Sequence, residues 1–231
     1  MKKDFSGSTG TWMTEQRTRT ESYDPGCTRC ARLAEFLAET RTRHPGYWAR
    51  PVPSFGAAKP RLLIVGLAPG MHGANRTGRP FTGDYAGILL YETLHELGLA
   101  TGPTSVSADD GLELRHARIT NAVKCVPPEN KPLPEEIRQC NAFLQAELTA
   151  LTSVTVVLAL GRIAHDGVLL ANGLKRGQFP FAHGAEHALG TGRQLVDSYH
   201  CSRYNTQTRV LSAAMFRKVV ARACVLAGLA G

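Results

Sequence analysis

The chain contains 231 residues, a length that fits a single α/β domain able to bury a sizeable core. Lys and Arg total 27 against 19 Asp and Glu, and the resulting net charge of +8 favours a polyanion over a membrane or an acidic protein as partner. No apolar run is long enough to span a bilayer and no apolar signal core opens the chain, so we expect a cytoplasmic protein. We also expect it to be a monomer.

The first dozen residues are polar and rich in Gly, Ser and Thr. Such a composition buries too little apolar surface to fold, so residues 1–20 are predicted to be a disordered leader or an added tail. Residues 21–231 are expected to form one domain, because neither an internal repeat nor an interdomain linker is evident in them.

Short apolar runs separated by helix-patterned stretches predict a three-layer α/β/α sandwich around a central four-stranded, mostly parallel sheet. Strands covered by helices on both faces appear as continuous apolar runs, because neither face is left to solvent. The four predicted strands are Leu62 to Gly66, Ala117 to Val123, Val154 to Leu160, and Leu195 to Tyr199. Helical spacing predicts one helix from Cys27 to about Arg43 and a closing amphipathic helix from Thr206 to Leu229.

Four of the six cysteines have a spacing typical of metal or iron–sulfur ligands. Cys27 and Cys30 form a Cys-x-x-Cys pair, whereas Cys125 and Cys140 bracket a proline-rich loop in mid-chain. In a reducing compartment this pattern suggests a metal ion or an iron–sulfur cluster instead of disulfides. The alternative is that all four are buried thiols that pack as small hydrophobic residues.

The loops that follow the first and fourth predicted strands are chemically unusual. Ligands bind beyond the carboxyl ends of the strands in open parallel sheets, which is where both loops emerge. The first loop, residues 66–84, contains five glycines, which allow the backbone to approach a ligand closely. It matches neither Gly-x-Gly-x-x-Gly nor the P-loop pattern, so a nucleotide-phosphate site is not favoured. The second loop reads His200-Cys-Ser-Arg-Tyr-Asn-Thr206.

These loops, together with the four cysteines, resemble the family 5 (type b) enzymes, the iron–sulfur-containing members of the uracil-DNA glycosylase superfamily. Two further segments carry the resemblance, Tyr47-Trp-Ala-Arg-Pro-Val-Pro-Ser-Phe-Gly56 and Ala159-Leu-Gly-Arg-Ile-Ala164, and it extends from about Cys27 to Leu226. It implies hydrolysis of the N-glycosidic bond of uracil, and of other deaminated bases, after the base is flipped out of the DNA stack. It also implies a structural [4Fe-4S] cluster on Cys27, Cys30, Cys125 and Cys140.

The resemblance assigns the base-binding positions to Gly66, Ala68, Phe81 and Asn121, with Phe81 as the ring on which uracil stacks. An Asp or Asn of many relatives is replaced here by Ala68. Asn121 lies where other superfamily members carry an amide that reads uracil.

The catalytic positions implied by the resemblance are His200, Asp84 and Asn130. His200 donates a hydrogen bond to uracil O2 and stabilises the departing anion. Because Ala68 has no carboxylate, Asp84 is the candidate that positions the attacking water, assisted by Asn130. Asp84 could instead be only a helix N-cap before Tyr85.

The remaining implied contacts are to DNA. Tyr204 stands where the superfamily inserts a wedge into the vacated stack, and phosphate contacts are expected from Arg76, Arg79, Ser202 and Arg203. Two alternatives to a uracil-DNA glycosylase remain at this point. One is a non-catalytic DNA-binding module that carries a cluster or zinc, and the other is a sister glycosylase with a different lesion preference.

Overall fold

The structure, a computed structural model, describes residues 22–190 and 192–229. The predicted leader, residues 1–20, lies outside the described residues. The strands are β1 Phe55–Gly56, β2 Leu62–Gly66, β3 Ala117–Asn121, β4 Val156–Leu160, β5 Glu186–Ala188 and β6 Gln194–Ser198. The α-helices are α1 Ala31–Arg43, α2 Ala74–Thr77, α3 Tyr85–Glu96, α4 Pro134–Ala150, α5 Arg162–Ala171, α6 Arg203–Gln207 and α7 Ala213–Leu226. Short 3-10 turns span Pro128–Asn130 and Arg176–Gln178.

One sheet has the strand order β1-β3-β2-β4-β6-β5. Its four inner strands pair in parallel, whereas β1 and β5 pair antiparallel with β3 and β6 at the two edges. The expected count of four strands is therefore wrong, and the described sheet has six. The two additional strands have only two and three residues, too few for a periodic apolar pattern to reveal them.

Helices cover both faces of the sheet, which gives the three layers predicted from sequence. Alternate residues of β2 point to opposite faces, because side chains alternate along a strand. Leu62 and Ile64 pack in the same core as Leu90 of α3 and Phe216 of α7. On the opposite face, Leu63 and Val65 share a core with Leu144 and Leu148 of α4 and Val168 of α5. None of the described helices is both long and apolar enough to cross a bilayer.

The ends of several elements differ from the predictions for local reasons. The first helix begins at Ala31, because Cys30 has an extended backbone and Cys27 lies in the turn before it. The predicted closing helix is two helices, since Arg209 takes a left-handed φ of 60° and Ser212 caps α7 by accepting from the Met215 N–H at 3.1 Å. These breaks place α6 against the loop that follows β6.

Candidate active site

The loops after β2, β3 and β6 line one cavity of about 510 Å³ at the carboxyl edge of the sheet, here called the main cavity. That volume lies within the range of about 300–1,000 Å³ usual for small-molecule sites. The cavity contains eight residues that the sequence singled out: Ala68, Phe81, Asp84, Asn121, Asn130, His200, Ser202 and Arg203. Three separate stretches of sequence therefore converge on one site.

Gly66, at the end of β2, is not part of the cavity lining but lies against two residues that are, Phe81 and Asn121. A Cβ built on Gly66 would lie 2.5 Å from Asn121 Oδ1 and 2.6 Å from Phe81 Cε2, so only glycine fits between these side chains. Asn121 is buried, and its Oδ1 has no hydrogen-bond partner among the described residues. Leaving a buried amide oxygen unpaired costs free energy, so this oxygen is suited to accept a hydrogen bond from a ligand.

Phe81 provides an aromatic wall beside this amide. Its backbone takes a left-handed φ of 53°, an uncommon conformation for a bulky residue. The Tyr91 hydroxyl donates to the carbonyl of Pro80 at 2.9 Å and so fixes the preceding residue. The Phe81 ring is stacked with the His200 ring, with centroids 5.9 Å apart and planes inclined by 27°. Phe81 is therefore held in place by contacts on both sides.

Asp84 is both a helix cap and a carboxylate of the main cavity. Its Oδ1 accepts the Gly87 N–H at 3.0 Å and caps α3. Its Oδ2 faces the glycine-rich loop, where a Cβ on Gly70 would lie 3.2 Å away and a Cβ on Gly73 would clash with it. Burial raises the carboxyl pKa, and the N–H groups of Gly87 and Ala86 oppose that shift. The two interpretations of Asp84 from sequence are thus compatible.

His200 follows β6 and is positioned by its backbone. Asn205 Nδ2 donates to the His200 carbonyl at 2.8 Å, and a Cβ on Gly161 would lie 3.3 Å from His200 Cβ. Gly161, with φ of 94°, therefore allows the two backbones to approach closely. Burial lowers the imidazole pKa to about 4, so the ring is neutral near pH 7 and can donate one N–H.

Asn130 reaches the main cavity from the proline-rich loop. Glu129 and Asn130 take left-handed φ values of 54° and 57° inside the short 3-10 turn. Non-glycine residues pay a conformational cost there, and Asn tolerates it better than most. This left-handed turn brings Asn130 into the lining of the main cavity.

Of the predicted DNA contacts, Ser202 and Arg203 line the main cavity, whereas Tyr204 and Arg76 are not part of its lining. Ser202 caps α6, where its Oγ accepts the Asn205 N–H at 3.4 Å, and the Arg203 guanidinium lies 5.4 Å from the centre of the Tyr85 ring. Tyr204 is 73 % exposed, as an inserting side chain requires. Arg76 is exposed and donates through Nε to the His72 carbonyl at 2.7 Å.

The expectation that Arg79 contacts a phosphate is corrected by the structure. Arg79 is only 4 % exposed and forms an ion pair with Asp110 at 2.6 Å. It also donates to the Ala108 carbonyl at 2.6 Å and lies over the Phe55 ring. Arg79 therefore joins the loop at 105–110 to the sheet, because its charge and most of its donors are already used inside the protein.

One further cavity residue, His72, and its partner Tyr47 were missed as site residues from sequence. His72 lines the main cavity, and its Nδ1 lies 2.9 Å from the Tyr47 hydroxyl, whose ring stacks on His44 with centroids 4.5 Å apart. Tyr47 opens a segment already compared with the glycosylase family, and His72 lies in the glycine-rich loop. The sequence did not indicate that these two side chains meet, because 25 residues separate them.

Cys27, Cys30, Cys125 and Cys140 line a second cavity, here called the cysteine cavity. It lies between the start of α1, the loop after β3, and α4. The Lys124 backbone N–H donates to Cys140 Sγ at 3.2 Å. Burial raises the Cys30 pKa to about 11, and the negative charge of neighbouring thiols, Cys140 first, adds to that shift. All six cysteines are free. Four thiols without another ligand type fit a thiolate-bound iron–sulfur cluster or zinc ion.

The chain matches the model of the family described as the uracil DNA glycosylase superfamily over residues 53–224. Among curated proteins it is 50 % identical to the Type-5 uracil-DNA glycosylase of Thermus thermophilus over 208 residues, which covers 88 % of this chain and 94 % of that protein. It is 42 % identical to the Type-5 uracil-DNA glycosylase of Pyrobaculum aerophilum over 87 % of this chain and 89 % of that protein. It is also 38 % identical to the Type-4 uracil-DNA glycosylase of Archaeoglobus fulgidus, over 49 % of each.

Proposed function

This chain belongs to the uracil-DNA glycosylase superfamily and acts as a uracil-DNA glycosylase in DNA repair, and we propose that His200, Asp84 and Asn130 carry out its hydrolysis. The observation that supports this assignment most directly is their convergence with Phe81 and Asn121 around one cavity. A non-catalytic DNA-binding module has no need for a carboxylate, an imidazole and an unpaired amide oxygen aimed at one space.

Base binding is the first step that the geometry supports. A flipped uracil stacks on Phe81, while the unpaired Asn121 Oδ1 accepts its N3–H. Gly66 leaves room below both side chains. Tyr204 fills the gap in the stack and Arg203 and Arg76 contact phosphates, in keeping with the net charge of +8.

Bond cleavage then separates charge across the main cavity. The bond between the anomeric carbon and uracil N1 breaks, its electron pair leaves with the base, and the neutral His200 donates a hydrogen bond to O2 of the resulting anion. On the opposite face, Asp84 stabilises the sugar cation and, with Asn130, orients a water. The water oxygen bonds to the anomeric carbon, and its proton passes to Asp84 or to solvent.

The substrate range extends to other deaminated bases in our proposal. Ala68 presents only a methyl group at the cavity, where many relatives carry Asp or Asn, and Gly70 adds no side chain. A site rejects an analogue mainly when the analogue leaves polar groups of the site unpaired. Because this wall has few polar groups, hypoxanthine and xanthine can bind here at little cost.

The four cysteines of the cysteine cavity hold a structural [4Fe-4S] cluster in our proposal. Thiolates are the usual ligands of such clusters, and the Lys124 N–H to Cys140 Sγ contact is of the kind that stabilises a bound thiolate. Hydrolysis transfers no electron, so the cluster joins α1 to the mid-chain loop and takes no part in the reaction. Anaerobically purified protein should be brown, and metal analysis giving one zinc and no iron would refute the cluster.

The test of the function uses end-labelled duplexes that contain one uracil, hypoxanthine or xanthine. Wild-type protein should yield strand breaks only after alkali, because a hydrolytic glycosylase leaves an intact abasic strand. Asp84→Asn and His200→Ala should lower the single-turnover rate, whereas Asp166→Asn, a partly buried carboxylate outside the main cavity, should match wild type. Tight binding to uracil-DNA without any cleavage would favour the DNA-binding module instead.

The setting we propose is a monomer in the cytoplasm. All six cysteines are free, in agreement with a reducing compartment. A single chain already brings together every residue assigned to the reaction.

A further inference from the structure

A second group of metal-ligating side chains lies outside both cavities, on the side of the sheet where β5 forms the edge. It consists of His165 on α5, His187 on β5 and Asp197 on β6, here called the histidine cluster. Their ligand atoms all lie within 4.8 Å of one another. His165 and Asp197 are fully buried, whereas the His187 side chain is 12 % exposed and gives the cluster contact with solvent.

The hydrogen bonds of His165 leave one nitrogen facing the carboxylate. His165 Nε2 lies 2.9 Å from the Phe179 carbonyl oxygen, which can only accept, so this nitrogen carries the ring hydrogen. In the neutral ring Nδ1 then has a lone pair, and it lies 2.8 Å from Asp197 Oδ1. Two acceptors at that distance require a proton or a cation between them.

The third group approaches the other oxygen of the same carboxylate. His187 Nε2 lies 3.3 Å from Asp197 Oδ2. Two imidazole nitrogens and one carboxylate oxygen are a common ligand set for zinc, whose tetrahedral bonds of about 2.0–2.1 Å place neighbouring ligand atoms about 3.3 Å apart. The separation of 3.3 Å between His187 Nε2 and Asp197 Oδ2 matches this value, the 2.8 Å between His165 Nδ1 and Asp197 Oδ1 is shorter, and all three ligand atoms lie within 4.8 Å of one another.

The surroundings of the cluster resemble the outer shell of a metal site. Ligating histidines usually donate their second ring nitrogen to a carbonyl or a carboxylate, as His165 does to Phe179. Aromatic rings surround the group, with Phe181 centred 5.5 Å from His165 and Phe179 centred 5.7 Å from His187. These ring contacts help to orient the two imidazoles, while the His187 side chain keeps contact with solvent.

We propose that the histidine cluster binds one divalent transition ion of the zinc class through His165 Nδ1, His187 Nε2 and Asp197. The ion would join α5 to the β5–β6 hairpin. Asp197 lies on the strand that ends two residues before His200, so the site would stabilise the segment that delivers this residue to the main cavity. The inference does not depend on the proposed reaction or on the cysteine cavity.

Cobalt(II) is the probe that separates this site from the cysteines. Titration of the purified protein should give one equivalent of four-coordinate cobalt with visible d–d absorption and without the thiolate-to-cobalt charge transfer that cysteine ligands produce. His187→Ala should abolish this component. The matched control His183→Ala should retain it, because His183 lies outside the cluster, where its Nδ1 accepts the Tyr199 backbone N–H at 3.2 Å.

Thermal unfolding in the presence of Zn²⁺ gives an independent readout. A ligand that binds only the folded state raises the unfolding midpoint, so Zn²⁺ should raise it for wild type and His183→Ala but not for His187→Ala. Asp197→Asn should behave like His187→Ala, provided that this buried substitution allows folding. The test does not depend on Asp197→Asn, because His187 reaches the solvent and His187→Ala should fold. Absence of the nitrogen–oxygen cobalt component in wild type, or equal responses from His187→Ala and wild type, would overturn the proposal in favour of a protonated His165 paired with Asp197.

Discussion

The main cavity and the cysteine cavity draw on the same loop after β3 but are built in opposite ways. The main cavity holds polar groups whose binding capacity is partly unused inside the protein, such as Asn121 Oδ1. The cysteine cavity holds four thiols beside core residues such as Leu33 and Phe143, with polar side chains also in its lining. Unpaired polar atoms can bind a substrate reversibly. Thiols that lie against core residues are suited to a tightly bound metal group.

The two cavities also differ in what their loss should cost. In the proposed roles, substitution of His200 or Asp84 in the main cavity removes an interaction with the reacting groups and leaves the hydrophobic cores intact. Substitution in the cysteine cavity would remove a ligand of the proposed cluster, which connects segments about 100 residues apart in sequence, and long-range connections of this kind stabilise most by restricting the unfolded chain. Substitutions in the main cavity should therefore change the rate of hydrolysis, and substitutions in the cysteine cavity should change the yield of folded protein.

The largest effect is expected for Cys140→Ser. It removes one ligand of the proposed cluster and should abolish most of the soluble, iron-containing protein, because metal binding and folding are coupled. Iron content and soluble yield are the measurements. Cys224→Ser is the matched control, since Cys224 is also buried but packs in the core beneath α7. Equal yields and iron contents for the two variants would show that the cysteine cavity holds no cluster.

His200→Ala should affect the reaction and not the fold. Loss of one preorganised donor to a developing anion costs roughly 10²- to 10³-fold in rate, and that loss is expected in single-turnover hydrolysis of uracil-DNA. DNA affinity should change little, because the interaction strengthens only as the bond breaks. A large loss of affinity with an unchanged rate constant would assign His200 to binding.

Asp84→Asn separates the charge of this residue from its role as a cap. Asn caps helices as well as Asp, so the free energy of unfolding should stay within about 1 kcal/mol of wild type. The single-turnover rate should fall about 10²-fold, since the charge that stabilises the sugar cation and accepts a proton is gone. A rate near that of wild type would show that Asp84 acts only as a helix cap, and the role of positioning the water would then fall to Asn130.

Protonation of His200 should appear as a pH dependence of stability. Burial lowers the folded-state pKa from 6.5 to about 4, so between these values the unfolded chain binds a proton that the folded protein does not. The free energy of unfolding should therefore fall as pH decreases through this window. Urea titrations at several pH values should show that His200→Gln removes part of this slope. An unchanged slope would contradict the burial-induced shift.

The smallest effect is expected for Tyr204→Ala. The side chain is exposed in the free protein, so the fold should be unaffected. The rate on duplex DNA should fall on the order of 10-fold, because base flipping leaves a gap that Tyr204 fills. Single-stranded substrate leaves no such gap and should react as with wild type. Equal losses on both substrates would exclude the wedge role.

The sequence determined much of the fold and the composition of the site. Continuous apolar runs identified the four inner strands, because a strand that is buried on both faces needs apolar side chains at successive positions. The position of loops at the carboxyl ends of those strands predicted a ligand-binding edge, and the resemblance to the glycosylase family assigned Phe81, Asp84, Asn130 and His200 to it. The Cys-x-x-Cys pair and the later cysteines likewise predicted one shared site.

Only the tertiary structure decided features that depend on close contacts between distant segments. The edge strands have too few residues to show a period, and their pairing with β3 and β6 defines them. Arg79 looked like a surface charge until Asp110, 31 residues away, supplied its partner. His165, His187 and Asp197 have no recognisable spacing in sequence, and they form a group because α5, β5 and β6 pack together. Sequence periodicity reports which face is buried, whereas pairing of individual polar atoms depends on positions that only the folded chain fixes.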